Sequence, residues 1–168
     1  NGTILASTDG TSWAAKNPGV SDRLLGITSN GSQLVAAGIN ASFSDGSILT
    51  SLNGDDWTPR TSPGSTSNFY NDVVSNGSGY LIGGTLSSML TSTDGINWSV
   101  IDFSSIQGIS FDSTFWDGSQ FVVLTNFGQI YTSSDTSNWL SRAALMPMKA
   151  VAFNGSRIVG IGGTGVIT

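Results

Sequence analysis

A short motif that ends in tryptophan recurs four times along the chain at a nearly constant spacing. The tryptophans are residues 13, 57, 98 and 139, so successive copies lie 44, 41 and 41 residues apart. A period of roughly 40–50 residues with strand-like content is typical of the blades of a β-propeller. The repeat therefore predicts an all-β chain, a β-propeller built from about four repeats of about 41 residues.

Each copy of the motif has the residue order of a tight turn that leads into a large ring. An apolar run enters it, a Ser closes the run, and in three copies Asp-Gly or Asn-Gly turns the chain towards the Trp. The Asp or Asn side chain can accept hydrogen bonds from nearby backbone N–H groups, and Gly adopts positive φ at little steric cost. The fourth copy has Thr136 in the glycine position, so we expect its turn to depart most from the others.

The order Ser-x-Asp-Gly-x-x-Trp resembles the Asp-box, also called the bacterial neuraminidase repeat, in the form common in propellers of phage and bacterial surface proteins. The resemblance extends over the whole chain. It implies that the motif residues hold each blade together, and that they are neither metal ligands nor catalytic carboxylates. These structural residues are Asp9, Trp13, Asn53, Trp57, Asp94, Trp98, Asp135 and Trp139.

A second turn motif lies between consecutive copies of the first. Asn-Gly-Ser or Asp-Gly-Ser separates two apolar runs at 30–32, 76–78, 117–119 and 154–156, which predicts two-residue type I′ hairpins. One repeat then contains two hairpins, or four antiparallel strands, labelled A to D from the propeller centre outwards. In this frame the chain both begins and ends on a C strand, the last at residues 165–168. The predicted repeats cover 1–38, 39–84, 85–126 and 127–163, with a partial repeat at 164–168.

We expect residues 1–168 to form one propeller domain or one segment of a larger propeller. This frame gives five C strands but four each of the A, B and D strands, so one C strand is surplus. Three arrangements fit it: a piece of a larger protein, several copies joined into a larger ring, or a four-bladed ring with overlapping ends. We favour the first, since the chain begins at Asn1 without Met or a signal peptide. Open strands at its ends would favour self-association or continuation into a larger ring.

Composition excludes several kinds of partner and site. The chain has six Lys and Arg against eleven Asp and a formal net charge of −5, so it is poorly suited to bind nucleic acid or an anionic membrane. No apolar run is long enough for membrane insertion. There is no Cys and no His, which excludes thiol nucleophiles, Ser-His-Asp triads and the usual zinc sites. We therefore expect no metal and no cofactor. The less favoured alternative is a Ca²⁺ ion near Asp45 or at Asp55 and Asp56, which lack a clustered set of ligands in the sequence.

The sequence also argues against an enzyme. A sialidase of the kind for which the Asp-box is named needs three arginines, a Tyr nucleophile and a Glu partner, and this chain contains no Glu. A pair of aspartates, Asp72 and Asp112, could serve as the acid and base of another glycoside hydrolase. That hydrolase-like propeller is the less favoured alternative.

Binding is the preferred function because the loops on one face differ while the turns on the other face are regular. The predicted variable connections are 14–23, 38–46, 59–70, 102–111 and 141–149. Aromatic rings beside Asn, Asp and Arg can stack on a sugar face or contact a protein, although such rings can equally cap the core. The candidate ligand-binding residues are Arg60, Asn68, Phe69, Tyr70, Asp102, Phe103, Phe111, Arg142 and Met146.

We therefore predict a non-enzymatic, lectin-like or adhesin-like binding module for a glycan or a protein, extracellular or on the surface of a virion or cell, as in a tail fibre. The alternative is a structural repeat segment of a fibre or larger assembly.

Overall fold

The computed structural model describes residues 2–63, 67–103, 108–142, 148 and 150–162. Within these ranges the secondary structure consists of sixteen β-strands. The predicted ligand contact at Met146 and the predicted C strand at 165–168 lie outside the described residues. The all-β propeller class predicted from the repeat is confirmed.

The strands form three complete four-stranded sheets flanked by two strand pairs. The first pair is β1 (Ile4–Ala6) and β2 (Ala14–Lys16). Blade 1 is β3 (Arg23–Ser29), β4 (Leu34–Ile39), β5 (Gly46–Ser51) and β6 (Thr58–Arg60). Blade 2 is β7 (Tyr70–Ser75), β8 (Tyr80–Gly84), β9 (Met89–Ser92) and β10 (Ser99–Ile101). Blade 3 is β11 (Phe111–Trp116), β12 (Phe121–Thr125), β13 (Ile130–Ser133) and β14 (Leu140–Arg142). The last pair is β15 (Ala150–Phe153) and β16 (Ile158–Ile161).

Each blade is an antiparallel meander in which sequence neighbours pair in the order A, B, C, D. Its B strand is covered on both sides by other blades, and all residues of β8 and β12 are buried. Both strands are therefore continuous apolar or glycine-rich runs, which is the pattern of a sheet with two covered faces. The outermost D strands have only three residues and are mostly exposed.

The D strands begin directly after the tryptophans, so some predicted connections are shorter than expected. Residues 14–16, 58–60 and 140–142 belong to strands because they pair with the preceding C strands, as in Ile4 with Lys16 and Ile48 with Arg60. The B-to-C connection of blade 1 is likewise reduced to 40–45, because β4 and β5 extend into the predicted range.

The A-to-B turns also differ from the prediction. A type I′ turn needs positive φ at both central residues. Here Gly31 has a φ of 92° and Gly77 one of 88°, whereas no Asn or Ser of these turns is among the described non-glycine residues with positive φ. The Asn carboxamide instead accepts the backbone N–H of the residues two and three positions on, as Asn30 Oδ1 does from Ser32 and Gln33 at 3.0 and 2.8 Å.

The Trp turns, residues 7–13, 51–57, 92–98 and 133–139, share one hydrogen-bond pattern. In the third copy, Asp94 Oδ1 accepts the N–H groups of Ile96 and Asn97 at 2.8 and 2.7 Å. Ser92 Oγ accepts the N–H of Gly95 at 2.9 Å. Trp98 then donates its indole N–H to the carbonyl of Gly95 at 3.0 Å, which holds the ring over the turn. The motif is therefore a self-capped turn, as expected from the residue types.

The fourth Trp turn keeps this geometry despite its departure in sequence. Thr136 takes a φ of 63°, close to the 69° of Gly95 in the third copy. Asp135 Oδ1 still accepts two backbone N–H groups, and Trp139 donates to the carbonyl of Thr136 at 3.0 Å. A β-branched residue in the left-handed region is strained by about 1–2 kcal/mol. The carboxylate cap is evidently sufficient to hold it there.

The tryptophans and inner strands pack between blades to form the core. One cluster joins blade 1 to blade 2 and includes Ile48, Tyr80, Leu90 and Trp98. A second joins blade 2 to blade 3 through residues such as Met89, Phe103, Phe111, Phe121 and Tyr131. Each blade thus contributes one apolar face to each neighbour. Trp13, on the first pair, is 60% exposed, whereas Trp98 is 8% exposed.

Polar contacts join the innermost strands of neighbouring blades. The A strands of all three complete blades contain a bulge, and in blade 2 it lies between Tyr70 and Asp72. Asp72 Oδ2 accepts the N–H of Thr114 in blade 3 at 2.8 Å, and Oδ1 accepts the N–H of Val73 at 2.9 Å. Burial raises the pKa of Asp72. This carboxylate therefore satisfies an edge amide of the next blade's innermost strand.

We expect Trp98→Ala to lower the free energy of unfolding by about 3–5 kcal/mol, because it removes a buried ring and leaves a cavity between blades. Trp13→Ala removes the same indole from the same turn on an exposed face, so its cost should stay below about 1 kcal/mol. Chemical denaturation of both variants tests this. Equal losses would contradict the packing role assigned to Trp98.

The Trp turns also predict an acid dependence. Backbone hydrogen bonds, chiefly from Asn97, lower the pKa of Asp94, and those from Ser12 and Thr11 lower the pKa of Asp9 to about 2. Such a group stabilises the fold above its unfolded pKa, and this stabilisation is lost as the pH falls through the lower folded pKa. Asp94→Asn should therefore make stability fall less steeply below about pH 4.

Blade 1 supplies the control for that variant. Asn53 occupies the position of Asp94 and accepts the same two N–H groups at 2.9 Å, while its own amide donates to Asp56. Asp94→Asn combined with Asn97→Asp copies this pairing and should fold like the parent chain. An acid unfolding curve of the single variant that overlays the parent curve would show that Asp94 contributes nothing to it.

Candidate binding face

The connections that differ between blades lie together on one face, here called the loop face. It consists of the D-to-A and B-to-C connections, and the opposite turn face carries the A-to-B turns and the Trp turns. The described loop-face segments are 17–22, 40–45, 61–63, 67–69, 85–88, 102–103, 108–110 and 126–129. The sequence-predicted ligand residues fall into three groups on or near this face.

The first group consists of rings that the structure buries. Tyr70 and Phe111 are fully buried, and Phe103 is 6% exposed. Phe103 packs edge-on against Phe111 and Tyr131, with ring centroids 5.2 and 5.5 Å apart. These rings close the core at the start of the A strands, so they offer no free face on which a sugar could stack. That is the core-capping alternative considered for them from the sequence.

The hydroxyl group of Tyr70 shares a hydrogen bond with Ser62, which further fixes the ring in its buried position. Burial raises the pKa of Tyr70 to about 12. Its phenol therefore stays protonated at neutral pH.

The second group lies at the surface. Asn68 and Phe69 are half-buried and Asp102 is exposed. The backbone of Phe69 is held on both sides by Thr85, whose hydroxyl accepts its N–H at 3.0 Å and whose own N–H donates to its carbonyl at 2.8 Å. Ligand contact by these three residues stays a prediction.

The third group is the two arginines, which lie on D strands rather than in loops. Arg60 ends β6 and Arg142 ends β14. Each donates its Nε–H to a Thr of the neighbouring C strand, Arg60 to Thr50 at 2.8 Å and Arg142 to Thr132 at 3.2 Å. They are therefore structurally equivalent residues of blades 1 and 3, on the sides of the blades.

Three exposed apolar residues, not predicted from the sequence, are the most conspicuous feature of the loop face. Phe43, Leu86 and Phe127 sit at the tips of the three B-to-C connections and are 60%, 61% and 66% exposed. We call them the tip residues. Each belongs to a different, consecutive blade.

The backbone at the tips is strained as well as exposed. Phe43 and Leu86 have φ angles of 54° and 53°, and Ser87 follows with 61°. A bulky residue in this left-handed region is uncommon, and such strain often marks a functional site. In blade 3 the residue after Phe127 is Gly128, which takes its φ of 80° without this cost.

Hydrogen bonds across the seams, by which we mean the interfaces between neighbouring blades, hold the tip loops in place. Ser67 donates its N–H to the carbonyl of Ser44, which joins the loop entering blade 2 to the tip loop of blade 1. Ser87 donates to the carbonyl of Ile109 at 2.7 Å, which makes the corresponding link between blades 2 and 3. The tips are therefore apolar side chains on anchored loops.

A signal for the tips was present in the sequence. Phe43, Leu86 and Phe127 are 43 and 41 residues apart, which is close to the spacing of the tryptophans. Each is a single apolar residue among polar ones between two predicted strands. A lone apolar residue at a strand boundary usually reads as part of the strand. Only the loop geometry shows that these side chains point away from the core.

The carboxylates considered for catalysis or metal binding have other partners. Both oxygens of Asp72 accept backbone N–H groups. Asp55 forms an ion pair with Lys16 at 2.6 Å, and Asp56 accepts the amide of Asn53. Over the described ranges no three Asp, Glu, His or Cys side chains are close enough to hold a metal ion. The same part of the chain contains no helix that could span a membrane.

No protein-family model and no curated protein matches this sequence. Solved structures do resemble it. YCF48 bound to D1 peptide superimposes with a TM-score of 0.70 and 24% identity, over 88% of this chain and 50% of that one. YCF48 from Cyanidioschyzon merolae gives 0.66 and 16%, over 95% and 61%. A chain of the nidogen/laminin complex gives 0.62 and 14%, over 85% and 57%.

The chain thus spans about half to three fifths of the length of these solved chains. At such identities the likeness shows the fold alone. Together with the three four-stranded sheets, it shows that this chain has the β-propeller fold.

Proposed function

We propose that this chain is a non-enzymatic binding module that holds a protein ligand on its loop face. The observation that carries the proposal is the row of tip residues, Phe43, Leu86 and Phe127, one on each of three consecutive blades. A contiguous exposed apolar patch usually marks an interaction surface, and we infer that these three side chains contribute to one. Covering each of these side chains with a ligand would contribute about 1.5–3 kcal/mol to the free energy of binding.

The backbone strain supports the same proposal. Loops that needed only to connect two strands would favour Gly or Asn at positive φ. Phe43 and Leu86 instead place bulky side chains there at a cost to stability. Retaining a destabilising apolar residue at an exposed site is consistent with a role in binding.

The choice of a protein over a glycan rests on the character of the exposed groups. Sugar recognition commonly uses open aromatic faces, and the rings of Tyr70, Phe103 and Phe111 are buried. Leu86 is aliphatic and offers no such face. Two structural neighbours, YCF48 bound to D1 peptide and a chain of the nidogen/laminin complex, are seen with protein or peptide partners, which agrees with this choice.

The finer assignment made from the sequence is kept as part of the proposal. We infer that the Trp turns are Asp-boxes, and that the protein acts outside the cell or on the surface of a virion or cell. The support is the common hydrogen-bond pattern of all four Trp turns and the Ser-, Thr- and Asn-rich exposed loops. Detection of the intact chain on the surface of its native source, by a specific antibody, tests the location.

We expect Phe43→Asn and Leu86→Asn to separate binding from stability. Asn tolerates the left-handed region, so each variant should be as stable as the parent or more stable by up to about 1 kcal/mol. Each should also bind its ligand about tenfold more weakly, because an apolar contact is lost. The probe is a set of displayed random peptides selected on the parent chain, and each selected peptide is then measured on the parent, on the single variants and on the triple variant that also carries Phe127→Asn.

A change on the turn face provides the matched control. Ser78→Asn lies in an exposed A-to-B turn and should leave both the binding and the stability unchanged. Peptides that bind the triple variant as tightly as the parent would exclude the tips as the ligand site.

A second candidate, a structural role in a larger assembly, is favoured by apolar faces at both flanks of the complete blades. Leu5 is 54% exposed, whereas Leu49 and Leu90 at the same position of blades 1 and 2 are fully buried. On the last pair, Val159 is 56% exposed, whereas Leu81 at the same position of blade 2 is fully buried. A face that is buried in every complete blade is suited to pack against another blade.

We therefore expect chains of this sequence to associate in solution through the faces of the first and last pairs. Sedimentation should show an average mass that rises with concentration. Leu5→Ser combined with Trp13→Ser should reduce this association, because it removes apolar surface from one of the two faces. A monomer mass at every concentration of the parent chain would exclude the assembly role.

A further inference from the structure

We propose a second binding site, separate from the tips, in the seam between blades 1 and 2 at the rim of the propeller. It would take an extended peptide segment that carries a carboxylate among apolar residues. Two adjoining cavities of about 340 Å³ each open along this seam, and Arg60 and Ile96 line both of them. We call this feature the rim groove. Each cavity is in the size range of ligand sites, roughly 300–1,000 Å³.

The rim groove has one wall from each blade. Blade 1 contributes its outermost strand β6 and the exposed Leu52, which is 81% exposed. Blade 2 contributes its Trp turn, with Ile96 44% exposed and the edge of Trp98 at the base. The groove is therefore framed by elements of both blades. Asp56 also lines it, and its carboxylate accepts the side-chain amide of Asn53.

Arg60 is available to a ligand. Its Nε–H is used by Thr50, which fixes the direction of the side chain along the seam. Among the described residues, Lys16 and Asp55 form an ion pair, and no carboxylate lies within 4.0 Å of the Arg60 guanidinium. No described residue accepts a hydrogen bond from the terminal N–H groups of Arg60. A guanidinium in this state is suited to bind a carboxylate through two parallel hydrogen bonds.

The seam between blades 2 and 3 has a different residue at the position of Arg60. Ile101 of blade 2 holds the strand position of Arg60, and it packs with Trp139 in the apolar cluster between blades 2 and 3. One cavity at that seam measures about 220 Å³ and is lined by turn residues such as Ser78, Thr93 and Thr136. Among the described residues, the rim groove carries an arginine at a strand position that an isoleucine holds in blade 2.

The lining favours a peptide over an acidic sugar. The apolar part of the groove comes from Leu52, Ile96, Pro59 and Pro63, which are aliphatic. Its one aromatic ring, Trp98, is 8% exposed and packs against Tyr80 at a centroid distance of 6.2 Å. Aliphatic walls suit Leu, Val or Pro side chains, whereas sugar rings stack on open aromatic faces.

The test uses an array of capped heptapeptides with a central Asp or Glu and Leu, Val or Pro at the other positions. Each peptide is paired with its Asn or Gln counterpart. We expect a subset of the acidic peptides to bind the chain about tenfold or more tightly than their amide counterparts, since a charge-assisted hydrogen bond is lost in the amide. Binding should weaken as salt is raised.

Two variants assign the effect to the rim groove. Arg60→Met should abolish the preference for the carboxylate, and Ile96→Ser should weaken the binding of every peptide. Arg142→Met is the matched control, because Arg142 makes the same contact to a threonine on blade 3. It should leave the preference intact, as should Phe43→Asn, which tests the loop face alone.

The proposal is overturned if no acidic peptide binds better than its amide counterpart, or if Arg60→Met retains the preference. Preferential binding of uronic acid oligosaccharides over all peptides would overturn the assignment to a peptide. If the tip residues prove not to bind a ligand, the results expected for the rim groove do not change. The two sites are therefore tested separately.

Discussion

The carboxylate or carboxamide cap of the Trp turn is the interaction on which the rest of the structure depends. One side-chain oxygen accepts two backbone N–H groups in every copy, and the indole N–H closes the turn from the other side. This places the tryptophan on the side of its blade that faces the preceding blade, where Trp98 is buried with Tyr80. The same cap precedes each D strand. It therefore fixes both the place where the C-to-D hairpin turns and the side of the blade on which the tryptophan packs. The left-handed Thr136 shows its strength, since the turn keeps its shape without the glycine that would remove the strain.

The regular turns make the irregular loops possible. Seams filled with buried rings and aliphatic side chains hold the blades together, and contacts such as that of Asp72 with Thr114 join their inner strands. On that scaffold a loop can carry features that lower stability. Leu86 sits in a strained conformation with its side chain in water, yet its loop is bound to the next blade through Ser87 and Ile109. Rigid anchoring reduces the entropy lost when a ligand covers such a side chain, which is the condition under which an exposed apolar group contributes most to affinity.

The sequence predicted the fold well because the fold is repeated, whereas a site is not. Period and strand order follow from spacing, whereas the type I′ turns and the bounds of several connecting loops were wrong. Ligand residues were harder to predict. Tyr70 and Phe111 stand at a loop boundary, where a ring can turn either to solvent or to the core, and the choice depends on the neighbouring blade that covers it. Phe43 and Leu86 face the opposite way for a reason that local sequence does not show, namely a positive φ at a residue type that rarely adopts it.

Comparison of equivalent positions in the blades of a repeat protein shows which side chains serve packing between blades and which do not. The third residue of the D strand is Ile101 in blade 2, where it packs against the apolar cluster between blades 2 and 3. In blade 1 the same position is Arg60, and the seam opens into a groove. In blade 3 it is Arg142, which is exposed. An isoleucine there contributes burial, while an arginine leaves a cavity and a cation that no described carboxylate neutralises. Since Ile101 holds the same strand position in blade 2, the fold does not require an arginine there, and under our proposal Arg60 is explained by what the seam can bind.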